Sequence, residues 1–318
     1  MFEPESIQGQ RILVTGASGF LGMNLCQRLS ECGASVIGIS RSPEPRESHC
    51  RQWLRADMGD IDAVRNVFTT TKPEIIFHLS GHGVGSPDLE HVLPTFRNDL
   101  LTTVNVLTVA TQQPVSRFIM AASLEEPQPG AGDPLPSTPY AAAKWASSSY
   151  AKMFHRLYGT PVVITRPMMA YGPGQKSHKL IPYVICTLLK GQAPKLSSGS
   201  RGADWIYVSD VIDGMLSAAV TPGVQGCSFD LGSGTLVSIR DLVLQVAEII
   251  GNNVVPQFGA LPDRPSEKVR IANVAESSEK LGWKQCTSLR AGLEQTVEWY
   301  RKELSRTDPN LEKVAKTQ

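Results

Sequence analysis

The stretch Arg11-Ile12-Leu13-Val14-Thr15-Gly16-Ala17-Ser18-Gly19-Phe20-Leu21-Gly22 decides how the chain is read. Residues 11–15 form a short apolar run of the kind buried in a sheet, and residues 21–32 have the length and pattern of a helix. Between them lies G-x-x-G-x-x-G. The early glycines permit a tight turn and a close approach to a pyrophosphate, the last permits close helix–strand packing, and the helix N-terminus offers amide donors and positive potential. Gly16, Ser18, Gly19, Phe20, Leu21 and Gly22 are therefore a candidate dinucleotide cradle. A glycine motif alone is weak evidence. Its place between a strand and a helix, at the head of an alternating pattern, makes it specific.

Beyond this stretch, short apolar runs at 34–40, 74–79, 117–122 and 161–166 alternate with helical stretches at 60–70, 98–111 and 140–158. Continuous apolar strands alternating with helices predict a Rossmann-type, doubly wound parallel α/β sheet. Later segments are less regular. Residues 171–179 and 192–202 are loop-like, 205–220 reads as strand then helix, and 237–250 and 289–304 as helices. The expected organisation is a dinucleotide-binding domain over 1–170, with 203–231 returning to it. A smaller substrate-binding part is expected over 171–202 and 232–305, and a disordered tail over 306–318.

Composition sets bounds on function. The 318 residues include 31 Lys plus Arg against 30 Asp plus Glu, a net charge of +1, so no overall field draws in nucleic acid or an anionic membrane. Hydrophobic residues at 41% and charged residues at 19% are those of a folded globular protein. The six cysteines form no C-x-x-C pair and show no zinc spacing, so they are read as reduced thiols, with no metal site. The N-terminus lacks a signal-peptide pattern and no run reaches transmembrane length, so a cytoplasmic protein is expected.

Thr15-Gly16-x-x-Gly19-Phe20-Leu21-Gly22 resembles the signature of the extended short-chain dehydrogenases, the nucleotide-sugar epimerase/dehydratase family. Asp57, followed by Met58, resembles that family's adenine-contacting acid. His78-Leu79-Ser80-Gly81 resembles its H-L-A-A segment beside the cofactor, and Asn98 through Asn105 its N-V-x-G-T-x-N helix. The second strand ends Ser40-Arg41-Ser42 without the acid that usually holds a ribose 2′-hydroxyl. Arg41 with the flanking serines suits a 2′-phosphate, which favours NADP(H) over NAD(H).

Tyr140-Ala141-Ala142-Ala143-Lys144 is Y-x-x-x-K on a predicted helix, and the i, i+4 spacing puts both side chains on one face. A phenol titrates near 10, and an adjacent ammonium brings it toward working range. The resemblance implies that Tyr140 exchanges the proton, that Lys144 also binds the nicotinamide ribose, and that Ser123 completes the triad. Glu125 matches the position of the proton-abstracting glutamate of sugar 4,6-dehydratases, but Leu124 stands where dTDP-glucose dehydratases carry Asp. Glu126 is read as solvated.

On the substrate side, Arg166-Pro167 and Tyr171-Gly172-Pro173-Gly174 resemble the family's R-P-x-x-x-Y-G-P-G. Residues 204–211 resemble D-[FWY]-I-[HY]-V-x-D-V, with Ala203 where a phosphate-binding Arg usually stands. Arg166, Lys179, Arg201 and Arg264 are the candidate substrate-binding residues. The resemblance implies an enzyme that moves a hydride at a sugar carbon, C4 foremost, of a nucleotide-activated sugar, acting as a homodimer. The reading leans to a 4-keto-sugar reductase. A 4-epimerase or 4,6-dehydratase, and a non-catalytic NADP-binding regulator, are the alternatives.

Overall fold

The computed structural model describes residues 3–127, 135–263 and 269–307. In chain order the elements are β1 (Arg11–Thr15), α1 (Phe20–Glu31), β2 (Ser35–Ser40), β3 (Gln52–Arg55), α2 (Ile61–Thr71), β4 (Ile75–His78), α3 (Val92–Thr95), α4 (Thr102–Thr111) and β5 (Arg117–Ala121). There follow α5 (Pro139–Tyr158), β6 (Val162–Pro167), β7 (Met169–Tyr171), α6 (Leu180–Leu189), β8 (Gly202–Tyr207), α7 (Val208–Val220) and β9 (Ser228–Leu231). The last are β10 (Leu236–Ser238), α8 (Ile239–Ile250), α9 (Val274–Leu281) and α10 (Leu289–Thr307).

The chain divides into two units. The first comprises Met1–Pro167, Val211–Leu231 and Asn273–Lys284, and the second Met168–Asp210, Gly232–Ala272 and Gln285–Gln318. Two segments fall differently from the sequence reading: β8 belongs to the second unit, and α9 to the first. Arg264 and residues 308–318 lie outside the described residues, so the reading of a disordered tail there has no structural counterpart. Residues 306 and 307 are helical, in α10.

The first unit is built on a seven-stranded sheet ordered β3-β2-β1-β4-β5-β6-β9, with every pairing parallel. The order reverses between β1 and β4, where Thr15 pairs with His78. Such a reversal opens a crevice at the carboxyl ends of the strands. Strands β4 and β5 are buried along their whole length, as their unbroken apolar runs require. Leu13, Ile37, Ile76, Phe118 and Ile164 of the sheet pack with Val64, Phe68, Val106 and Phe154 of the helices. Each such burial stabilises by about 1.5–3 kcal/mol. The helix expected over 98–111 differs from the structure. It opens as a π-helical turn, Phe96–Leu101, and becomes regular only from Thr102.

The second unit holds a three-stranded sheet, β10-β8-β7, with β7 parallel and β10 antiparallel to β8. Helices α6, α8 and α10 pack on one another. The two acids of Asp204-Trp205-Ile206-Tyr207-Val208-Ser209-Asp210 are structural. Buried Asp204 accepts the amides of Ser233 (2.6 Å), Gly234 (3.0 Å) and Ala272 (2.9 Å), and Asp210 those of Cys286 (3.0 Å) and Thr287 (3.1 Å). Each carboxylate meets several orphan backbone donors, which is what makes a buried charge tolerable.

Candidate active site

The glycine turn sits at the carboxyl end of β1. Gly16 has φ +70°, and a Cβ there would lie 2.8 Å from the Leu79 carbonyl. A Cβ on Gly22 would lie 2.2 Å from the Gly16 oxygen, closer than any side chain permits. The N-cap of α1 is Gly19, which offers no side chain to cap the first-turn amides. They face outward as donors for an anion. Ser18 Oγ and Ser40 Oγ are 2.7 Å apart, which ties the turn to the end of β2. This turn, whose backbone contacts a Cβ at Gly16 or Gly22 would break, fits a dinucleotide pyrophosphate.

Around it, Arg41 donates to Asn98 Oδ1 at 2.7 Å, and its carbonyl accepts from Arg55 at 2.9 Å, so the guanidinium is held at the end of β2, with no acid on it among the described residues. Ser42 N–H donates to Ser40 Oγ at 3.1 Å. Asp57 accepts from Gly59 N–H and from Arg97, each at 2.9 Å, and Met58 is buried. Thr15 Oγ1 accepts the amides of Leu79 (3.2 Å) and Ser80 (3.3 Å) and bonds His78 Nδ1 at 2.9 Å. These bonds lock β4's exit onto β1. Burial, then the charge of Lys144, lowers His78 to about 3, so its ring is neutral.

Helix α5 begins where Thr138 caps it, accepting Ala141 N–H at 3.0 Å with Pro139 at the first helical position, and it ends at Gly159 with φ +70°. That start puts Tyr140 and Lys144 one turn apart on the face turned to the end of β5. Lys144 Nζ lies 5.9 Å from the Tyr140 ring centroid and donates to the Ala121 carbonyl at 3.1 Å. Ser123 Oγ accepts the Glu125 N–H at 3.1 Å, and its hydroxyl lies near enough to the phenol to favour the phenolate. The three groups therefore converge within the first unit. Burial raises the phenol above its usual range, Lys144 opposes that, Asp99 adds to it, and the Ser123 hydroxyl opposes it. Burial would lower Lys144, but the charges of Tyr140, Asp99 and Glu126 outweigh it and hold the ammonium. Half-buried Glu125 accepts from Thr138 Oγ1 at 3.3 Å, and its carboxylate stands against Gly85, where a Cβ would lie 2.9 Å from Oε1.

Two sequence readings are corrected. Glu126 is not solvated. It is 4% exposed and accepts the Ser123 N–H and the Ser148 hydroxyl, both at 3.0 Å. Arg166, expected on the substrate, points its guanidinium to Asp230 at 2.5 Å and to Glu126 at 3.8 Å. Its charge is already matched by two carboxylates, so it ties the ends of β5, β6 and β9 together. The other substrate candidates lie in the second unit: Lys179 is the N-cap of α6, and the Arg201 carbonyl accepts the Ile239 amide at 3.0 Å.

Sequence reasoning missed Asp99, which is fully buried 3.7 Å from Lys144 Nζ. A signal was present. Counted back from Asn105, the seven-place pattern N-V-x-G-T-x-N starts on Asp99 rather than Asn98, with Thr103 on its threonine. Among the described residues no cluster has the make-up of a metal site, and no helix is long and apolar enough to cross a membrane.

A glycine cradle at a sheet reversal, with serine, phenol and ammonium at the neighbouring strand end, defines a nicotinamide-dinucleotide-dependent oxidoreductase. Residues 12–232 match the family model of the NAD dependent epimerase/dehydratase family. The chain belongs to that family and is an enzyme of it. It is 29% identical to a UDP-glucose 4-epimerase of Mycolicibacterium smegmatis, over 92% of this chain and 98% of that one. It is 30% identical to a probable dTDP-glucose 4,6-dehydratase of Sinorhizobium fredii, over 91% and 92%. Among solved structures, the UDP-glucose 4-epimerase of Thermotoga maritima with UDP-glucose superposes with a TM-score of 0.84 at 25% identity, over 92% of this chain and 99% of that one. An epimerase from Methanothermobacter thermautotrophicus gives 0.85 at 26% identity, over 96% of each.

Proposed function

We propose that the chain reduces a 4-keto nucleotide sugar with NADPH. The observation that carries the reading is the meeting of Ser123, Tyr140 and Lys144 beside the glycine cradle. When bound, the dinucleotide supplies the hydride. Ser123 donates to the carbonyl oxygen and orients it, Tyr140 delivers the proton as that oxygen gains charge, and Lys144 holds a positive charge beside the phenol. Glu125 accepts a neighbouring sugar hydroxyl. NADP(H) is favoured because Arg41 is held at the end of β2 by Asn98, with serines on either side and no acid on it among the described residues. Lys179, Arg201 and Arg264 are proposed donors to the nucleotide diphosphate.

A 4-epimerase is the second reading, and the relatives' activities support it. Leu124 in the place of the dehydratase acid weighs against dehydration. With a panel of 4-keto and 4-hydroxy nucleotide sugars, NADPH should be consumed in step with product. Product without net consumption would establish epimerisation instead. Arg41→Asp should weaken NADP⁺ binding roughly 10–100-fold, as expected for a lost charge-assisted pair of about 1.5–3 kcal/mol, with NAD⁺ little affected. Equal loss for both dinucleotides would refute the NADP(H) preference.

A homodimer is proposed as well. Leu89, Leu93, Phe96, Leu157 and Tyr158 leave large apolar surface exposed on and around α3 and α5. Sedimentation should give twice the 34.5 kDa chain mass. A monomer at micromolar concentration would overturn it.

A further inference from the structure

We infer that Asp99 is a positioning residue that holds the Lys144 ammonium and keeps Tyr140 in the proton-bearing form suited to carbonyl reduction. The inference rests on the function proposed above and gives it a direction.

Asp99 is 0% exposed, on the π-helical turn Phe96–Leu101. Such turns add a residue to a helix and re-aim its side chains, often at a functional site. One carboxylate oxygen accepts the His82 N–H at 2.9 Å, and the other lies 3.7 Å from Lys144 Nζ. That second oxygen has no hydrogen bond of its own. A Cβ on Gly81 would come within 2.5 Å of it, so the chain leaves room there for the carboxylate alone. A buried acid needs a reason, because burial penalises its charge unless a cation answers it. Lys144 is that cation, and it opposes the burial that still holds the carboxyl above its ordinary range.

The charged and titratable groups facing the pair come from five segments. Lys144 shares α5 with Tyr140. Asp99 faces them from the π-helical turn, and Glu125 and Glu126 from the segment after β5. His78, neutral, faces Lys144 from β4, and His82 stands against Asp99. An ammonium matched by a carboxylate stabilises a neighbouring phenolate less than a lone ammonium does. Asp99 therefore works against Lys144 at the phenol oxygen. A tyrosine that must give its proton to a forming alkoxide has to carry that proton at working pH. One that must take a proton from a hydroxyl has to be without it. The carboxylate favours the first.

The test is Asp99→Asn in the full chain. Asparagine keeps the acceptor for His82 N–H and removes the charge. The Tyr140 phenol is titrated through the ultraviolet difference spectrum, with the same variant carrying Tyr140→Phe as reference. The phenol should titrate lower by about one pH unit, a tenfold change in its dissociation constant. The alkaline fall in kcat for ketone reduction should move down with it, with KM little changed. An unmoved phenol in a folded, dinucleotide-binding Asp99→Asn protein would overturn the inference. If that variant does not fold, Asp99→Ser is read in the same way. The phenol titration needs no sugar, so failure of the proposed substrate would stop turnover and leave this result standing.

Discussion

The glycine turn and the Lys144 pocket lie at the carboxyl ends of strands in one sheet and are made of opposite materials. The turn is backbone: Gly16 and Gly22 leave no room for a side chain, Gly19 leaves little, and none carries a titratable group. The pocket is side chain: Asp99, Glu126 and Lys144 are nearly out of water, with Tyr140 beside them. Steric limits rule the first, and electrostatic balance rules the second. The turn should therefore fail all at once on gaining a methyl group and ignore pH. The pocket should tolerate isosteric changes and respond to pH.

The largest expected break in that contrast is Tyr140→Phe. It should lower kcat roughly 10²–10⁴-fold, the usual share of a proton-transferring side chain, with dinucleotide affinity nearly unchanged. Steady-state rates and a cofactor-fluorescence titration would show it, and an equal loss of affinity would mean that Tyr140 acts through binding. Next is Gly22→Ala. The new carbon would stand 2.2 Å from the Gly16 oxygen, so the turn must open. We expect dinucleotide binding lost at any pH and stability lowered by about 1–3 kcal/mol, as for overpacking. Wild-type affinity would show that the turn is softer than its geometry.

Smaller still is Glu126→Gln. Glutamine still accepts the Ser123 amide, but Arg166 loses one of its two counter-charges. Urea unfolding should show a loss of about 1–3 kcal/mol. A neutral result would mean that Asp230 alone satisfies Arg166. The most gradual effect is acid sensitivity at His78. Its folded value near 3 lies below its ordinary 6.5, so between those values the unfolded chain binds the proton first. That stability is fully present above about pH 6.5 and falls as pH drops, by at most about 1.4 kcal/mol per pH unit. Unfolding midpoints across the window should flatten in His78→Asn.

The same contrast explains what could be read from residues alone. The turn was legible because only glycine satisfies φ +70° at Gly16 and the approach at Gly22, so the requirement is written in residue type. Tyr140 and Lys144 were legible because a single helix sets their spacing. Asp99 and Glu126 were not, since an acid is solvated by default and only tertiary packing buries it. The charge of Arg166 was visible, but its partner Asp230 lies 64 residues away. Strand β3 escaped because Gln52–Arg55 is an edge strand with exposed ends. Helix α6 escaped because a short apolar run holding Pro182 fits strand or helix equally. The proline is tolerated because it falls in the first turn.

In the proposed function, the groups gathered around Tyr140 move a proton while a hydride goes to a sugar carbon. The most direct test supplies a 4-keto nucleotide sugar and NADPH bearing deuterium at the nicotinamide C4, then locates the label by mass spectrometry and NMR. If that transfer occurs, deuterium should appear at the sugar C4 with the natural chain and almost none with Tyr140→Phe. Label that stays on the nicotinamide, or equal transfer by both proteins, would contradict it.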